Sequence, residues 1–150
     1  MNKIFNYTGL LILLTLTCQY SFAFDLNKSI NNHQQQFEKV ALQIWDLAEV
    51  GYQEYKSSNL LKQALSEEGF RIQDNVTNIP TAFIAEYGKG FPVIGILGEF
   101  DALPGVAQST SPYKEKYKNN KAGHACGHHL FGAGSAWASV AIKELSLIHI

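Results

Sequence analysis

Residues 93–97 read Val93-Ile94-Gly95-Ile96-Leu97, an apolar run that no polar side chain interrupts. A strand of this kind has to be covered on both faces, which is typical of the interior of a parallel sheet. Two more strand-like segments precede it at residues 70–76 and 82–87, and Asn, Pro and Gly residues mark the turns between them. The run therefore predicts a central strand.

Helical patterns flank these strands on both sides. Apolar residues recur every three or four positions over residues 30–50, with Gly51 as the expected stop. A second helix is expected to begin at Ser57 or Ser58 as the cap and to end at Gly69. A third, rich in small residues, is expected over residues 130–145, where its glycines predict close packing on the sheet. Helices before and after an interior strand predict a layered α/β protein.

The composition bounds the size and the partners of the protein. A chain of 150 residues with 46% hydrophobic and 17% charged residues can bury one core but not two. The formal net charge of −1 and the lack of Lys and Arg runs argue against a nucleic-acid partner, because such proteins neutralise rows of phosphates. The polar stretch at residues 105–122 has no clear periodicity and is expected to be a surface loop.

The first 23 residues have the layout of a signal peptide. Asn2 and Lys3 precede an apolar run at residues 10–16 that is too short to cross a bilayer, and the small residues Ser21 and Ala23 predict cleavage before Phe24. We expect an exported protein, periplasmic or secreted, without a stable membrane span after cleavage. An uncleaved N-terminal anchor is the alternative.

Residues 123–129 read Gly123-His124-Ala125-Cys126-Gly127-His128-His129 and hold three of the five histidines of the chain. Thiolate and neutral imidazole together suit a divalent ion such as zinc, and the flanking glycines let the backbone bend around it. Two other interpretations stay open at this point, namely a buried thiol with surface histidines around it and a nucleophilic Cys–His pair. An open, catalytic metal site is favoured over a closed structural one because no second Cys or His pair lies at finger-like spacing.

Two carboxylates follow the predicted central strand. Alternation along an extended chain puts Glu99 and Asp101 on the same face. One use for such a carboxylate is to accept the free N–H of a metal-bound imidazole, and another is direct coordination. The plain alternative is that both residues only end the strand and cap the next turn.

The two motifs together, residues 98–105 (Gly98-Glu99-Phe100-Asp101-Ala102-Leu103-Pro104-Gly105) and residues 123–129, resemble the M20 metallopeptidase family. The match is to its amidohydrolases related to aminobenzoyl-glutamate hydrolase and the N-acyl amino acid hydrolases, and it covers about residues 37–145. The resemblance implies two divalent ions, zinc or manganese, with Cys126 and His128 as metal ligands and Asp101 as the catalytic acidic residue behind the metal centre. It leaves the roles of Glu99, His124 and His129 open, since His129 stands where many relatives have aspartate and Glu99 where other branches have a histidine.

The resemblance also implies a function and a fold. The expected reaction is hydrolysis of a small-molecule amide, in N-acyl or aminobenzoyl amino acids or small peptides, by a water that the metal activates. The expected fold is a three-layer α/β catalytic domain with a mixed, largely parallel sheet between helices, of which residues 24–150 form the N-terminal part.

The same resemblance limits what this chain is expected to do alone. The lid or dimerisation domain, the general-base glutamate and the remaining ligands are expected after Ile150, and a homodimer is an option for the full-length protein. The 150 residues by themselves are expected to be inactive and incompletely packed. A noncatalytic metal-binding protein and a cysteine-dependent hydrolase are the competing functions.

Overall fold

The computed structural model describes residues 25–115, 117 and 121–149, with the backbone alone for residues 146–149. The predicted signal peptide and Cys18 lie outside the described residues. The elements in chain order are α1 (Leu26–Leu47), α2 (Tyr55–Glu67), β1 (Arg71–Asp74), a 3-10 turn (Val76–Asn78), β2 (Phe83–Glu86), β3 (Leu103–Pro104), β4 (Ala122–Gly123) and α3 (His128–His149). The prediction of a mixed α/β protein is confirmed, whereas the sheets are two small antiparallel pairs.

Helix α1 starts earlier and ends earlier than its sequence pattern predicts. Its N-terminus is capped by Asp25, whose carboxylate accepts a hydrogen bond from the backbone N–H of Lys28 at 3.0 Å. It ends at Leu47, with Ala48 in the left-handed region at φ 44°. Gly51 as the stop was wrong, because the carbonyl of Glu49 accepts from Ala102 N–H at 2.7 Å and so withdraws these residues from the helix.

Helix α2 has its N-terminal cap supplied from the preceding loop. The helix begins at Tyr55, so the prediction that Ser57 or Ser58 caps it was wrong, and both serines are buried within its first turns. The carboxylate of Glu49 accepts from the backbone N–H groups of Lys56 (3.2 Å) and Ser57 (2.8 Å), groups that no intrahelical carbonyl reaches. At the other end Gly69 lies at φ 84°, as expected of a glycine stop.

Two short hairpins account for the described strands. Strands β1 and β2 pair antiparallel, with Arg71 opposite Glu86, which confirms the strand segments predicted at 70–76 and 82–87. Strands β3 and β4 also pair antiparallel, with Leu103 opposite Gly123. The backbone of Val106 lies so close to Gly123 that a Cβ there would come within 2.5 Å of the Val106 carbonyl oxygen. This second hairpin ties the two sequence motifs together.

The core lies between the three helices. Phe37 and Ile44 of α1 and Val140 of α3 are almost fully buried, and the Phe37 ring stacks on Trp137 at 6.1 Å. The buried cluster as a whole comprises Phe37, Val40, Ala41, Ile44, Leu61, Ala64, Leu65, Phe70, Ala133, Ala136 and Val140. Within the described part of the chain, no helix has the length and apolarity that a membrane crossing requires.

The small-residue helix packs closely at one glycine, against the segment that carries Glu99 and not against a sheet as predicted. A Cβ at Gly132 would lie 2.9 Å from the carbonyl oxygen of Glu99 and 3.0 Å from Phe100 Cβ, so only glycine lets α3 approach this backbone. At Gly134 a Cβ would meet nothing within 4 Å. The segment that carries Glu99 and Asp101 is therefore pressed directly against α3.

The prediction of a buried central strand at residues 93–97 was wrong in this structure. The run is irregular, and Val93 (77%) and Leu97 (72%) are among its highly exposed side chains. Helices α1–α3 bury their apolar faces against one another, and β1 and β2 pair with each other, so no described strand flanks the run. Helix α3 contacts its end, where the Ser135 hydroxyl donates to the Leu97 carbonyl at 2.6 Å. Among the described residues, parallel pairing is confined to a single bridge between Val50 and Ala102.

The polar loop at residues 105–122 is only partly described. Residues 105–115 form no helix or strand, as predicted, but the last residue of the stretch, Ala122, belongs to β4. Tyr117 packs on Trp45 at 5.0 Å between ring centroids. The loop is thus anchored to α1 as well as to the second hairpin.

Candidate metal centre

The position of His128 is set by a tight turn at the start of α3. Gly127, at φ 77°, donates its N–H to the carbonyl of His124 at 3.0 Å. Its own carbonyl accepts from Leu130 N–H at 2.9 Å and Phe131 N–H at 3.1 Å, so the helix begins here. A side chain would be strained at this backbone conformation, which explains the glycine. The His128 ring consequently leaves the helix at its first residue.

Two carboxylates hold the His128 ring from opposite sides. The Nδ1 atom lies 2.7 Å from Asp101 Oδ1, and Nε2 lies 3.0 Å from Glu99 Oε2. The side chains are 22% (His128), 31% (Asp101) and 51% (Glu99) exposed, so the site opens to solvent on the Glu99 side. Both carboxylates reach the same ring, as alternation along the segment predicts.

This arrangement leaves a negative charge to be neutralised. A neutral imidazole has a single N–H, and if Asp101 accepts it from Nδ1, the lone pair of Nε2 faces the Glu99 carboxylate. Such a contact is repulsive unless a second proton or a cation lies there. Even a doubly protonated ring balances only one of the two carboxylates, and among the described residues no Lys or Arg forms an ion pair with Glu99 or Asp101.

The donor set fits a divalent cation. One donor atom each from Glu99, Asp101 and His128 lie within 4.8 Å of one another. Imidazole and carboxylate are ordinary zinc ligands, and a carboxylate behind the ring fixes the tautomer that leaves Nε2 free for a metal. The structure thus brings together two residues that the sequence singled out, Asp101 and His128, and adds Glu99.

Cys126 is placed apart from this group. Its side chain is exposed and free, in the turn between His124 and Gly127. In the described part of the chain, two groups of side chains could hold a metal ion, because their donor atoms lie within 4.8 Å of one another. Cys126 belongs to neither group. The prediction that Cys126 and His128 are both metal ligands therefore requires that the turn moves or that the thiol binds an ion from outside this group of three.

The other two histidines of the motif pack against each other. The rings of His124 and His129 lie 4.9 Å apart, and His124 Nε2 donates to the carbonyl of Ile44 at 3.0 Å. Burial lowers the pKa of His124 despite that hydrogen bond, and burial together with the neighbouring His124 lowers the pKa of His129. Both shifts favour the neutral rings, and the Nδ1 atom of each is buried with no hydrogen-bond partner among the described residues.

Two glutamates that the sequence did not single out support the site. Glu49 caps α2 with its carboxylate and holds Ala102 with its carbonyl, next to Asp101. Glu54 is only 8% exposed, and its Oε2 has no hydrogen-bond partner in the described part of the chain. A Cβ at Gly51 would lie 3.9 Å from both Glu54 Oε1 and Asp101 Oδ2. No local pattern reveals these residues, because their burial depends on residues 48–54 folding onto residues 101–102.

Comparison with known proteins finds relatives that are hydrolases of amide bonds. No family model matches the chain. It is 39% identical over 120 residues to a subunit of the p-aminobenzoyl-glutamate hydrolase of Escherichia coli strain K12, a match that covers 79% of this chain and 25% of that protein. It is 33% identical over 95 residues to hippurate hydrolase of Campylobacter jejuni, covering 63% of this chain and 24% of that protein. The chain is homologous to M20-family amidohydrolases.

A more distant match agrees with this. Thermostable carboxypeptidase 2 of Saccharolobus solfataricus is 29% identical over 130 residues, covering 81% of this chain and 32% of that protein. The resemblance to M20 amidohydrolases and peptidases that the two motifs predict is therefore confirmed. The chain spans about a quarter of the length of the first two relatives.

Proposed function

We propose that this chain belongs to an exported, metal-dependent amidohydrolase that cleaves the amide bond of N-acyl or aminobenzoyl amino acids or small peptides. The observation that carries the proposal is the contact of 2.7 Å between His128 Nδ1 and Asp101, beside Glu99, in a chain homologous to M20 amidohydrolases. The substrate class rests on the names of the relatives, a p-aminobenzoyl-glutamate hydrolase and a hippurate hydrolase.

The chain's own residues prepare the site for this reaction. Asp101 accepts the Nδ1 proton of His128, which directs the Nε2 lone pair toward the ion site and makes the ring a better ligand. Glu99 adds negative charge on the solvent side. A divalent ion bound there would supply Lewis-acid polarisation of the scissile carbonyl and a water of lowered pKa. The buried carboxylate of Glu54 lies on the Gly51 side of Asp101.

Two ions, zinc or manganese, remain the expected cofactors, with Cys126 and His128 as ligands. Because Cys126 is exposed and outside the group of three, its ligation is the point to test first. In the cobalt-substituted protein a coordinated thiolate gives a near-ultraviolet charge-transfer band. We expect this band in the wild type and its loss in Cys126→Ser. Wild-type protein that binds cobalt without the band would remove Cys126 from the ligand set.

The function itself is tested by metal content and turnover. We expect the full-length protein, unlike the 150 residues alone, to hydrolyse p-aminobenzoyl-glutamate or hippurate, to lose this activity with a chelator and to regain it with zinc or manganese. Glu68→Gln, which changes a carboxylate far along the chain from the motif, is the matched control and is expected to retain the response. Metal retention without hydrolysis would favour the noncatalytic metal-binding function. Hydrolysis that resists chelators but not thiol alkylation would favour the cysteine-dependent one.

We further propose that residues 24–150 form the N-terminal part of a three-layer catalytic domain with a largely parallel sheet, and that a homodimer is open to the full-length protein. The exposed apolar run at residues 93–97 supports this, since it has the composition of an interior strand. Burial of this run in a longer protein, seen as slow amide exchange, is the expected result.

Export is tested separately by N-terminal sequencing, which we expect to begin at Phe24.

A further inference from the structure

A second histidine outside the candidate metal centre also lies between two carboxylates. His33 of α1 has Nε2 2.7 Å from Glu144 Oε1 and Nδ1 3.2 Å from Glu68 Oε1. The three side chains are 16% (His33), 29% (Glu144) and 17% (Glu68) exposed, so the contacts are largely shielded from solvent. Glu144 belongs to α3, and Glu68 is the C-terminal cap residue of α2. One ring thus joins all three helices.

The groups that face this ring complete a balanced set of charges. Ser29, one turn before His33 on α1, donates its hydroxyl to Glu144 Oε2. Lys143 of α3 lies with Nζ 3.1 Å from Glu68 Oε2 and donates to the Glu68 carbonyl at 2.7 Å. These are the charged groups that the described elements present to His33. With an imidazolium at His33, two carboxylates meet two cations, and no further charge is needed.

A metal ion fits this place poorly, although the donor atoms are close enough to hold one. The Glu144 carboxylate is already engaged by the hydroxyl of Ser29. Glu68 is also already engaged by the ammonium group of Lys143. A proton is the ligand that suits both nitrogens at once, because only the doubly protonated ring donates to both carboxylates.

We propose that His33 is a proton-operated clasp that fastens α1 to the end of α2 and to α3 while its ring carries two protons. When the ring loses one proton, one of the two carboxylates faces a lone pair, and the hydrogen bond on that side is lost. A rise in pH that takes one proton from the ring therefore opens the clasp. This inference does not depend on the proposed hydrolase activity.

The test is thermal unfolding of the purified protein against pH, with His33→Gln as the neutral variant and His33→Lys as the permanently charged one. We expect the wild type to melt about 2–4 °C above His33→Gln at acid pH, where the ring carries two protons, and this difference to shrink to below about 1 °C at alkaline pH, where it carries one. His33→Lys is expected to depend less on pH than the wild type. Lys62→Gln, which removes the Lys62–Asp74 ion pair, is the control without a histidine and should shift the melting temperature equally at both pH values.

Two outcomes would overturn the clasp. One is a difference between wild type and His33→Gln that is absent or the same at every pH. The other is a rise in melting temperature on adding zinc that His33→Gln abolishes, which would make the cluster a metal site. If the variants do not fold, nitrogen-15 spectra of the wild type decide, since the clasp requires both His33 ring nitrogens to be protonated at acid pH and one of them to lose its proton as pH rises.

Discussion

His128 and His33 are each held between two carboxylates, yet the surroundings give the two rings different chemistry. At His128 both carboxylates come from one extended segment, and Glu99 is 51% exposed. At His33 one carboxylate, Glu68, comes from the end of α2 and the other, Glu144, from α3, and Lys143 forms an ion pair with Glu68. The first ring lies beside a motif with an exposed thiol, while the second lies in the joint between three helices.

The comparison shows that a histidine between carboxylates is not by itself a metal site. The balance of charge decides what the group binds. Around His33, Lys143 and an imidazolium match Glu68 and Glu144, so that a proton is sufficient. Around His128 one negative charge remains over even when the ring is doubly protonated, and a divalent cation would neutralise it. Each of the following substitutions changes that balance at one of the two rings.

The largest effect is expected from His128→Asn. The substitution removes the imidazole nitrogen that the site offers to a metal. We therefore expect zinc affinity to fall by more than about 100-fold, which exceeds the usual loss when a supporting carboxylate is removed. Zinc affinity is measured by competition with a chelating dye. The matched change His33→Asn should leave zinc affinity within about twofold. Equal losses in the two variants would erase the distinction between the two rings.

Asp101→Asn is expected to cost about 10- to 100-fold in zinc affinity. The amide keeps the shape of the side chain but weakens the acceptor of the His128 Nδ1 proton, so the ring is a poorer ligand and its tautomer is no longer fixed. Glu68→Gln makes the same change opposite His33 Nδ1 and serves as the control. Zinc affinity that is unchanged in Asp101→Asn would show that the carboxylate does not act through the ring.

The sequence predicted the local parts of this site better than its assembly. Alternation placed Glu99 and Asp101 on one face, and small residues predicted the close approach of α3, which Gly132 confirms. Both are short-range consequences of backbone geometry. The contact between Asp101 and His128 joins residues 27 apart in the chain, and motif resemblance indicated it where periodicity could not.

The sequence-based predictions that were wrong share a physical cause, because each concerned a feature that depends on residues distant in the chain. Residues 93–97 have the composition of a buried strand, but burial requires flanking strands that the described chain does not supply. Helix α1 stops at Leu47 because Glu49 and Val50 pair with Ala102, although the apolar pattern continues to Val50. The His33 cluster was missed because its members are spread over three helices and none belongs to a local motif.

Glu99→Gln is expected to lower zinc affinity by about tenfold or less, at the lower end of the range for supporting carboxylates. Its side chain is half exposed, so water takes over part of its role, and solvent screens its charge. A calorimetric zinc titration beside Asp101→Asn measures the difference. If Glu99→Gln instead matches the loss in His128→Asn, Glu99 is a direct ligand, and the site is built from both sides of the ring.

The smallest effect is expected at the His33 side, from Glu144→Gln in acid. Burial raises the pKa of Glu144, but hydrogen bonds from Ser29 and His33 and the positive charges of His33 and Lys143 together lower it by more, so that the pKa lies below its usual value. A carboxylate with a lowered folded pKa stabilises the protein above its unfolded pKa, and this stabilisation is lost as pH falls through the folded value. Near neutral pH, the folding equilibrium constant of the wild type should therefore be about fivefold larger than that of Glu144→Gln. This corresponds to about 1 kcal/mol in the free energy of unfolding, after solvent screening is taken into account. Denaturant titrations at falling pH should show the two proteins converging once Glu144 is protonated, and a gap that persists there would mean that packing, and not charge, holds Glu144 in the clasp.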